Sequence, residues 1–230
     1  MGRGSRSQVG RTGTDRVEDA FARHLRPLDE VYHVGELNRQ HKRRGSHEGV
    51  GLSVSLDPDA WRTIARLGDR PTWALRREGG VFLDVHSVRA DRICLRHAIT
   101  WARRQGYVRS GRLVELHLQN DAGDAVVALF ATREEAERER AALGDADAAI
   151  TTAARWLMTP KMAERAMALR PDDHALALDH ALNFFVEDCM PSVDGLWWAD
   201  DFDPAGWSAP RGVICQSRLA RWSTQRQSPR

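Results

Sequence analysis

The sequence lacks the long apolar runs and the paired cysteines that mark membrane and secreted proteins. It has no run of about 18 apolar residues, and its N-terminal arginines precede no apolar stretch of the kind that a secretory signal needs. Its three cysteines, Cys94, Cys189 and Cys215, are an odd number without a CxxC pair, which argues against a disulfide framework or a structural zinc site. We therefore expect a cytoplasmic protein with reduced thiols, no membrane partner and no bound metal.

Several common catalytic motifs are also missing. The sequence has no GxxxxGK[ST] phosphate loop, no GxGxxG after a strand, no HExxH and no GxSxG. These absences leave P-loop nucleotide hydrolases, Rossmann dehydrogenases, zinc proteases and α/β-hydrolases without support.

Lysine is almost absent from the basic residues. Of 34 basic residues only Lys42 and Lys161 are lysine, and 32 acidic residues bring the net charge to +2. Arginine has a planar, permanently charged fork that suits phosphate and carboxylate, but GC-rich coding produces the same composition. The basic loop 42–44 and the two chain ends, which carry arginines without acidic residues, are candidate contacts for nucleic acid.

The arginines inside the predicted helices have a simpler interpretation. Many of them lie beside Asp or Glu, and we interpret them as solvated surface. The set includes Arg92, Arg96, Arg103 and Arg104.

Turn signals divide the chain into short strands and helices, with hairpins at 71–85 and 107–130, and this pattern predicts an α+β fold with small antiparallel or mixed sheets. We expect a single globular domain at 15–217 between flexible basic tails at 1–14 and 218–230. The alanine-rich segment 145–187 is expected to be a helical insertion in this domain.

Two short strands near the N-terminus carry the most informative residues. The first covers 31–34 and the second, with alternating apolar and small residues, covers 49–55. Asp57 and Pro58 then have the residue types of a helix N-cap and first helical position. The notable positions on the two strands are Tyr32, His33, Gly35, Gly51, Ser53 and Ser55.

This arrangement resembles the ADP-ribosyltransferases of the histidine-bearing kind, in which a YHG-type element on one strand precedes a glycine- and serine-containing strand. The resemblance implies that His33 hydrogen-bonds the nicotinamide ribose of NAD and that Ser53 and Ser55 help to orient it. It also implies that Tyr32, Gly35 and Gly51 line the cofactor site. Val34 separates His33 from Gly35, which departs from the family element.

Cleavage of the N-glycosidic bond of NAD develops positive charge on the ribose, so a carboxylate is expected beside it. Asp200 is the first candidate for this group. The alternatives that remain open are Glu48, Glu115, Glu187, Asp194 and the amide of Gln216.

The segment around Trp197 and Trp198 is a further candidate part of the cofactor site. Adjacent strand residues point to opposite faces, so one tryptophan is expected in the core and Trp198 in a cleft, where it would stack on a ring of NAD. Arg211, between Pro210 and Gly212, would hold the pyrophosphate with its fork, or pair instead with Asp200 or Asp201.

The sequence therefore predicts an NAD-dependent ADP-ribosyltransferase, of the toxin or effector type, that transfers ADP-ribose to an unidentified acceptor. The alternative is a non-enzymatic α+β module that binds nucleic acid or a protein partner through its basic segments.

Overall fold

A computed structural model of the chain describes residues 13–38, 50–120, 123–144, 148–167, 176–203 and 208–228. The seven helices in these ranges are α1 (Gly13–Phe21), α2 (Pro58–Ile64), α3 (Val85–Ala90), α4 (Arg92–Arg104), α5 (Arg133–Leu143), α6 (Pro160–Ala166) and α7 (Ala177–Cys189). Short 3₁₀ helices cover Ala22–His24 and Gln216–Arg221. No helix in the described ranges is both long enough and apolar enough to cross a membrane. The predicted basic loop 42–44, the candidate Glu48 and most of the predicted tail 1–14 lie outside these ranges.

The strands form two sheets. They are β1 (Leu25–Pro27), β2 (Glu30–Val34), β3 (Leu52–Ser55), β4 (Thr72–Arg76), β5 (Val81–Asp84), β6 (Val108–Asn120), β7 (Gly123–Phe130), β8 (Ala149–Met158), β9 (Gly195–Trp198), β10 (Arg211–Ile214) and β11 (Ser223–Arg226). The larger sheet has the order β1-β5-β9-β10-β3-β2-β4-β11 and the smaller one β7-β6-β8. Only β5 and β9 are parallel among the named pairs. The predicted α+β class is confirmed.

One bent two-stranded ribbon supplies four strands of the large sheet, because β1 is followed directly by β2 and β4 by β5. Its two halves lie towards opposite ends of the sheet. β1 pairs with β5 and β2 pairs with β4, and between these pairs Leu28 N donates to Gly80 O and Arg77 N to Asp29 O, each at 2.9 Å. Gly80 permits this close approach, because a Cβ there would lie 2.4 Å from Leu28 O. The predicted hairpin at 71–85 is therefore wrong, since β4 and β5 pair with the preceding strands rather than with each other. The hairpin at 107–130 is confirmed as β6 and β7.

The predicted helical insertion at 145–187 is wrong over its first third. Residues 149–158 form β8, which pairs with β6 along its whole length, from Val108 opposite Met158 to His117 opposite Ala149. Alanine favours helix only weakly, and the open edge of β6 offers this segment a ladder of backbone hydrogen bonds. The helical expectation holds for α6 and α7.

The predicted flexible tail at 218–230 is also wrong as far as residue 228. β11 pairs with β4 at the edge of the large sheet, and a 3₁₀ helix precedes it. Leu219 and Trp222 are buried and join an apolar cluster with strand residues such as Val31 and Phe82. The burial of this tryptophan stabilises the packing of the segment on the sheet. The polar composition of the segment did not indicate this contribution.

The large sheet buries both of its faces. Trp197 is in the cluster with Leu52, Val54 and Trp222, whereas Trp198 is in the cluster that packs the sheet against α1, α3, α4 and α7. The two tryptophans thus lie on opposite faces, as expected, but both are buried, so the expected cleft position of Trp198 is wrong.

Asp194, just before β9, connects several of these strands. Its backbone N donates to Val81 O at 2.7 Å, its backbone O accepts from Cys215 N at 2.8 Å, and its Oδ2 accepts from Val81 N at 3.0 Å. The carboxylate is fully buried and pairs with Arg77, while Arg221 lies 3.9 Å away. Desolvation by burial, and after it the nearby guanidiniums of Arg221 and Arg218, lower the pKa of Arg77.

We expect Asp194→Asn to lower the free energy of unfolding by about 3 kcal/mol, because it leaves the partly buried Arg77 without its counter-charge. Urea denaturation checks this against Asp201→Asn, which changes an exposed aspartate nearby. Equal stability of the two variants would contradict a structural role for the buried carboxylate.

Candidate functional site

His33 lies in β2 and is almost fully buried. Its Nδ1 donates to the backbone O of Ser53 at 2.8 Å, and its Nε2 lies 3.4 Å from the backbone O of Glu36. The ring therefore contacts the main chain of the neighbouring strand.

Ser53 and Ser55 point to the other face of the sheet. Ser53 is opposite Val213 of β10, and Ser55 is opposite Arg211 of the same strand. On the other side of β10, β9 places Leu196 opposite Val213 and Trp198 opposite Arg211, and both of these β9 residues belong to the helix-covered face. His33 is two residues after Val31, which faces the Trp197 cluster, and alternate strand residues share a face. The histidine and the two serines do not converge, because the pleat of adjacent strands separates them.

Ser55 has a clear structural role. Its Oγ lies 2.9 Å from Pro210 O and 3.0 Å from Asp57 O, which share its single proton, and it accepts from Asp57 N at 3.1 Å. Asp57 in turn caps α2 by accepting from the backbone N of Asp59 and Ala60. The hydroxyl thus fastens β3, the start of α2 and the segment before β10 together.

Gly35 and Gly51 are both placed by backbone geometry. Each has a positive φ, of 133° and 145°. A Cβ at Gly51 would lie 2.4 Å from Ile214 O, so the close approach of β10 accounts for this glycine.

Tyr32 lies on the same sheet row as Ser55, opposite it across β2 and β3. Its hydroxyl donates to Glu30. Hydrogen bonds from Arg76 and then Tyr32 hold the pKa of Glu30 below its usual value, so this carboxylate is a charged anchor for the phenol.

The structure does bring three predicted residues together. Arg211 pairs with Asp200, and its guanidinium lies 5.6 Å from the ring centre of Trp198. His86, which the sequence did not single out, contributes Nε2 at 2.6 Å from the second carboxylate oxygen of Asp200. The fork of Arg211 and the carboxylate of Asp200 are therefore engaged with each other, the second of the two interpretations of Arg211.

The other candidate carboxylates are engaged as well. Glu115 pairs with Arg155 and lies 3.3 Å from His117, Glu187 lies 3.4 Å from Arg165, and Asp194 holds Arg77. Gln216 begins a 3₁₀ helix. The predicted NAD-site residues are thus divided between two faces of the sheet, and ADP-ribosyltransferase activity stays a prediction.

A different surface has the properties of a binding site, and it lies on α4. This thirteen-residue helix contains no acidic residue. Its exposed side carries four arginines, Arg92, Arg96, Arg103 and Arg104, which we call the α4 arginine face. Arg92, Arg96 and Arg103 lie within about 40° of one another around the helix axis.

The α4 arginine face has no counter-charge. None of its guanidiniums forms an ion pair or hydrogen bond with a residue that the structure describes, and the one contact is that of Arg103 with the ring of Trp156, 5.6 Å away. The arginines elsewhere that pair with carboxylates include Arg76, Arg77, Arg89, Arg155, Arg165 and Arg211. The α4 arginines are exposed, in agreement with their interpretation as solvated surface. Among the described residues, however, acidic neighbours are found for the α5 arginines Arg133 and Arg140, which contact Glu137, and not for those of α4.

This face is maintained at a cost in stability. Arg92 is the first residue of α4, where the helix dipole disfavours positive charge. Arg92 and Arg96 are also four residues apart, a spacing at which like charges destabilise a helix by about 0.2–0.5 kcal/mol. A helix selected for stability alone would place acidic residues here.

Two shallow grooves border the face. One of about 330 Å³ is lined by Thr100, Arg103 and Arg104. The other, of about 470 Å³, lies at the start of α4 and has Arg92 and the exposed Ile93 in its wall, along with Arg23, His24, Ser87, Ala90 and Asp91. The signal that sequence reasoning missed was the absence of any acid from 92–104, together with arginines at 92, 96 and 103.

One group of side chains in the described ranges has the donor types and spacing of a metal site. It consists of His24, Asp91 and Cys94 beside the second groove. The expectation of no metal came from sequence spacing, which cannot show that His24 lies against the start of α4.

Comparison with known proteins gives no relative for this chain: no family model, no curated protein and no solved structure matches it.

We expect Ser55→Ala to destabilise the protein by about 1–3 kcal/mol, because it removes a buried hydroxyl that holds Pro210 O and Asp57 N. Thermal unfolding measures the loss, and Ser110→Ala, at an exposed position of β6, is the matched control. A Ser55→Ala protein as stable as the control would show that the hydroxyl does not have this structural role.

Proposed function

We propose that this protein binds nucleic acid through the α4 arginine face. The observation that carries the proposal is a row of exposed arginines, without an ion pair to any residue that the structure describes, on a helix without acidic residues. Because several other described arginines pair with nearby carboxylates, this face concentrates basic charge that a net charge of +2 conceals.

The spacing of the row suits a chain of phosphates. From Arg92 to Arg103 the helix rises about 16 Å, and Arg96, between them, lies on the same side of the helix. Each guanidinium offers a fork of N–H donors that binds phosphate oxygens in pairs. The face therefore presents several phosphate contacts along one line.

The composition of the surface favours nucleic acid over an acidic protein. Stable protein interfaces have an apolar centre, whereas Ile93 is the one strongly exposed large apolar residue of α4. Trp156, half-buried beside Arg103, adds an aromatic edge of the kind that contacts nucleotides. Phosphate contact by these residues would not by itself select a base sequence.

The basic loop 42–44 and the chain ends extend the same proposal as additional phosphate contacts. The proposal also includes a cytoplasmic location, where the protein would encounter nucleic acid.

We expect the Arg92→Gln/Arg96→Gln protein to bind a fluorescent DNA duplex more weakly and with a smaller salt dependence. If the four arginines each neutralise one duplex phosphate, the slope of log K against log salt is about −3.6, and the double variant reduces its size to about 1.8. Fluorescence anisotropy between about 50 and 200 mM salt measures both slopes.

The matched control is Arg133→Gln/Arg138→Gln, which removes two exposed arginines from the acid-rich helix α5. An equal loss in both double variants would reduce the effect to net charge and overturn the assignment to α4. Competition by polyglutamate as strong as that by DNA, at equal charge concentration, would assign the face to an acidic protein instead.

A further inference from the structure

Three potential metal ligands from different parts of the chain meet at the start of α4. His24 ends the first 3₁₀ helix, Asp91 precedes α4, and Cys94 is in its first turn. One ligand atom from each, a nitrogen, an oxygen and a sulfur, lies within 4.8 Å of the other two. Pairing of β1 with β5 brings the segment before β1 beside the one after β5, and so brings His24 to the other two.

His24 and Asp91 are each held in place by a second contact. His24 Nδ1 lies 2.6 Å from Ser87 Oγ, which fixes the ring and turns Nε2 towards Asp91 Oδ2 at 2.9 Å. Asp91 Oδ1 accepts from the backbone N of Ile93 at 2.9 Å and of Cys94 at 3.3 Å, so Oδ2 is the oxygen that faces the cluster. Such supporting contacts are the usual companions of metal ligands.

His24 Nε2 has two polar neighbours, Asp91 Oδ2 at 2.9 Å and Arg23 Nε at 3.2 Å. With its proton on Nε2 the neutral ring donates to Asp91. With the proton on Nδ1 it donates to Ser87 Oγ and presents the lone pair of Nε2 to a cation. Metal binding requires the second of these two tautomers.

A positive charge already lies where a metal would bind. The guanidinium of Arg23 contacts both His24 Nε2 and Asp91 Oδ2. The Arg23 side chain is 69% exposed, so it can swing into solvent with little loss of packing. The groove beside it, lined by Ala90, Arg92 and Ile93, leaves the fourth side of the cluster open.

We propose that His24 Nε2, Asp91 Oδ2 and Cys94 Sγ bind a divalent transition metal of the zinc class, with Arg23 displaced from the cluster. Thiolate and imidazole ligands select zinc and cobalt over magnesium and calcium. On binding, Cys94 loses its thiol proton to solvent and a metal–sulfur bond forms, with no change in oxidation state. Three protein ligands leave a fourth position for water at the groove, as in catalytic zinc sites. This proposal does not depend on nucleic-acid binding.

Titration of the reduced protein with Co²⁺ tests the site, because tetrahedral cobalt absorbs visible light and a cobalt–thiolate bond adds a charge-transfer band in the near ultraviolet. We expect one equivalent to bind and Zn²⁺ to displace it. Cys94→Ser should abolish the charge-transfer band and weaken binding at least about tenfold. Cys189→Ser, which changes a thiol outside the cluster, should leave both unchanged.

Two further variants separate metal binding from loss of structure. Asp91→Asn keeps an oxygen to cap α4 but removes the charge, so it should weaken Co²⁺ binding while the far-ultraviolet circular dichroism stays unchanged. Arg23→Ala removes the competing cation and should tighten binding. Loss of the charge-transfer band in Cys189→Ser, no saturable binding, or weaker binding by Arg23→Ala would each overturn the proposal.

Discussion

The buried carboxylate of Asp194 is the contact on which the arrangement of the large sheet depends. It lies where β5, β9 and the residue after β10 meet. Its Oδ2 accepts from Val81 N, and the backbone N of Asp194 donates to Val81 O. A charge without access to water must be neutralised, so Arg77 from the bend of the ribbon is drawn to it. The bend, the parallel pair β5–β9 and the position of the C-terminal 3₁₀ helix all follow from satisfying this one group.

With the sheet fixed in this way, strand alternation decides what each predicted site residue can do. His33 and Val31 share one face of the sheet, while Ser53 and Ser55 share the other with Trp198 and Arg211. The residues that suggested an NAD site are close together in the sequence, but the alternation of side chains along the strands places His33 on one face of the sheet and the two serines on the other. The hydroxyl of Ser55 therefore stabilises the connection of β3 to α2 and to the segment before β10, and the histidine bonds to main-chain oxygen.

The arginines also differ in role according to their position in the fold. Arg76, Arg77, Arg155, Arg165 and Arg211 each have a carboxylate partner, and such pairs contribute to the fold rather than to recognition. Among the residues that the structure describes, the α4 arginine face has no such partner. Arg92 opposes the helix dipole and lies four residues from the like charge of Arg96, whereas Arg103 and Arg104 lie in the last turn, where the dipole favours them. A surface that costs local stability and remains unpaired is the part of the molecule most suited to an external partner.

The sequence by itself determined those features that depend on near neighbours. Asp57 and Pro58 start α2, Thr132 and Glu135 form the capping box of α5, and β6 pairs with β7, the next strand along the chain. Local hydrogen bonds and backbone preferences set these elements, so the α+β class could be predicted from them.

Only the tertiary structure decided the rest, because it depends on partners distant in sequence. The open edge of β6 made a strand of the alanine-rich segment 149–158, and burial of Trp222 made an edge strand of the expected tail. Likewise, the strand pairing that brought His24 to Asp91 and Cys94 is invisible in their spacing. Composition showed that this chain is rich in arginine, and the fold decided which of those arginines are left unpaired, since ion pairing is set by distance in space rather than along the chain.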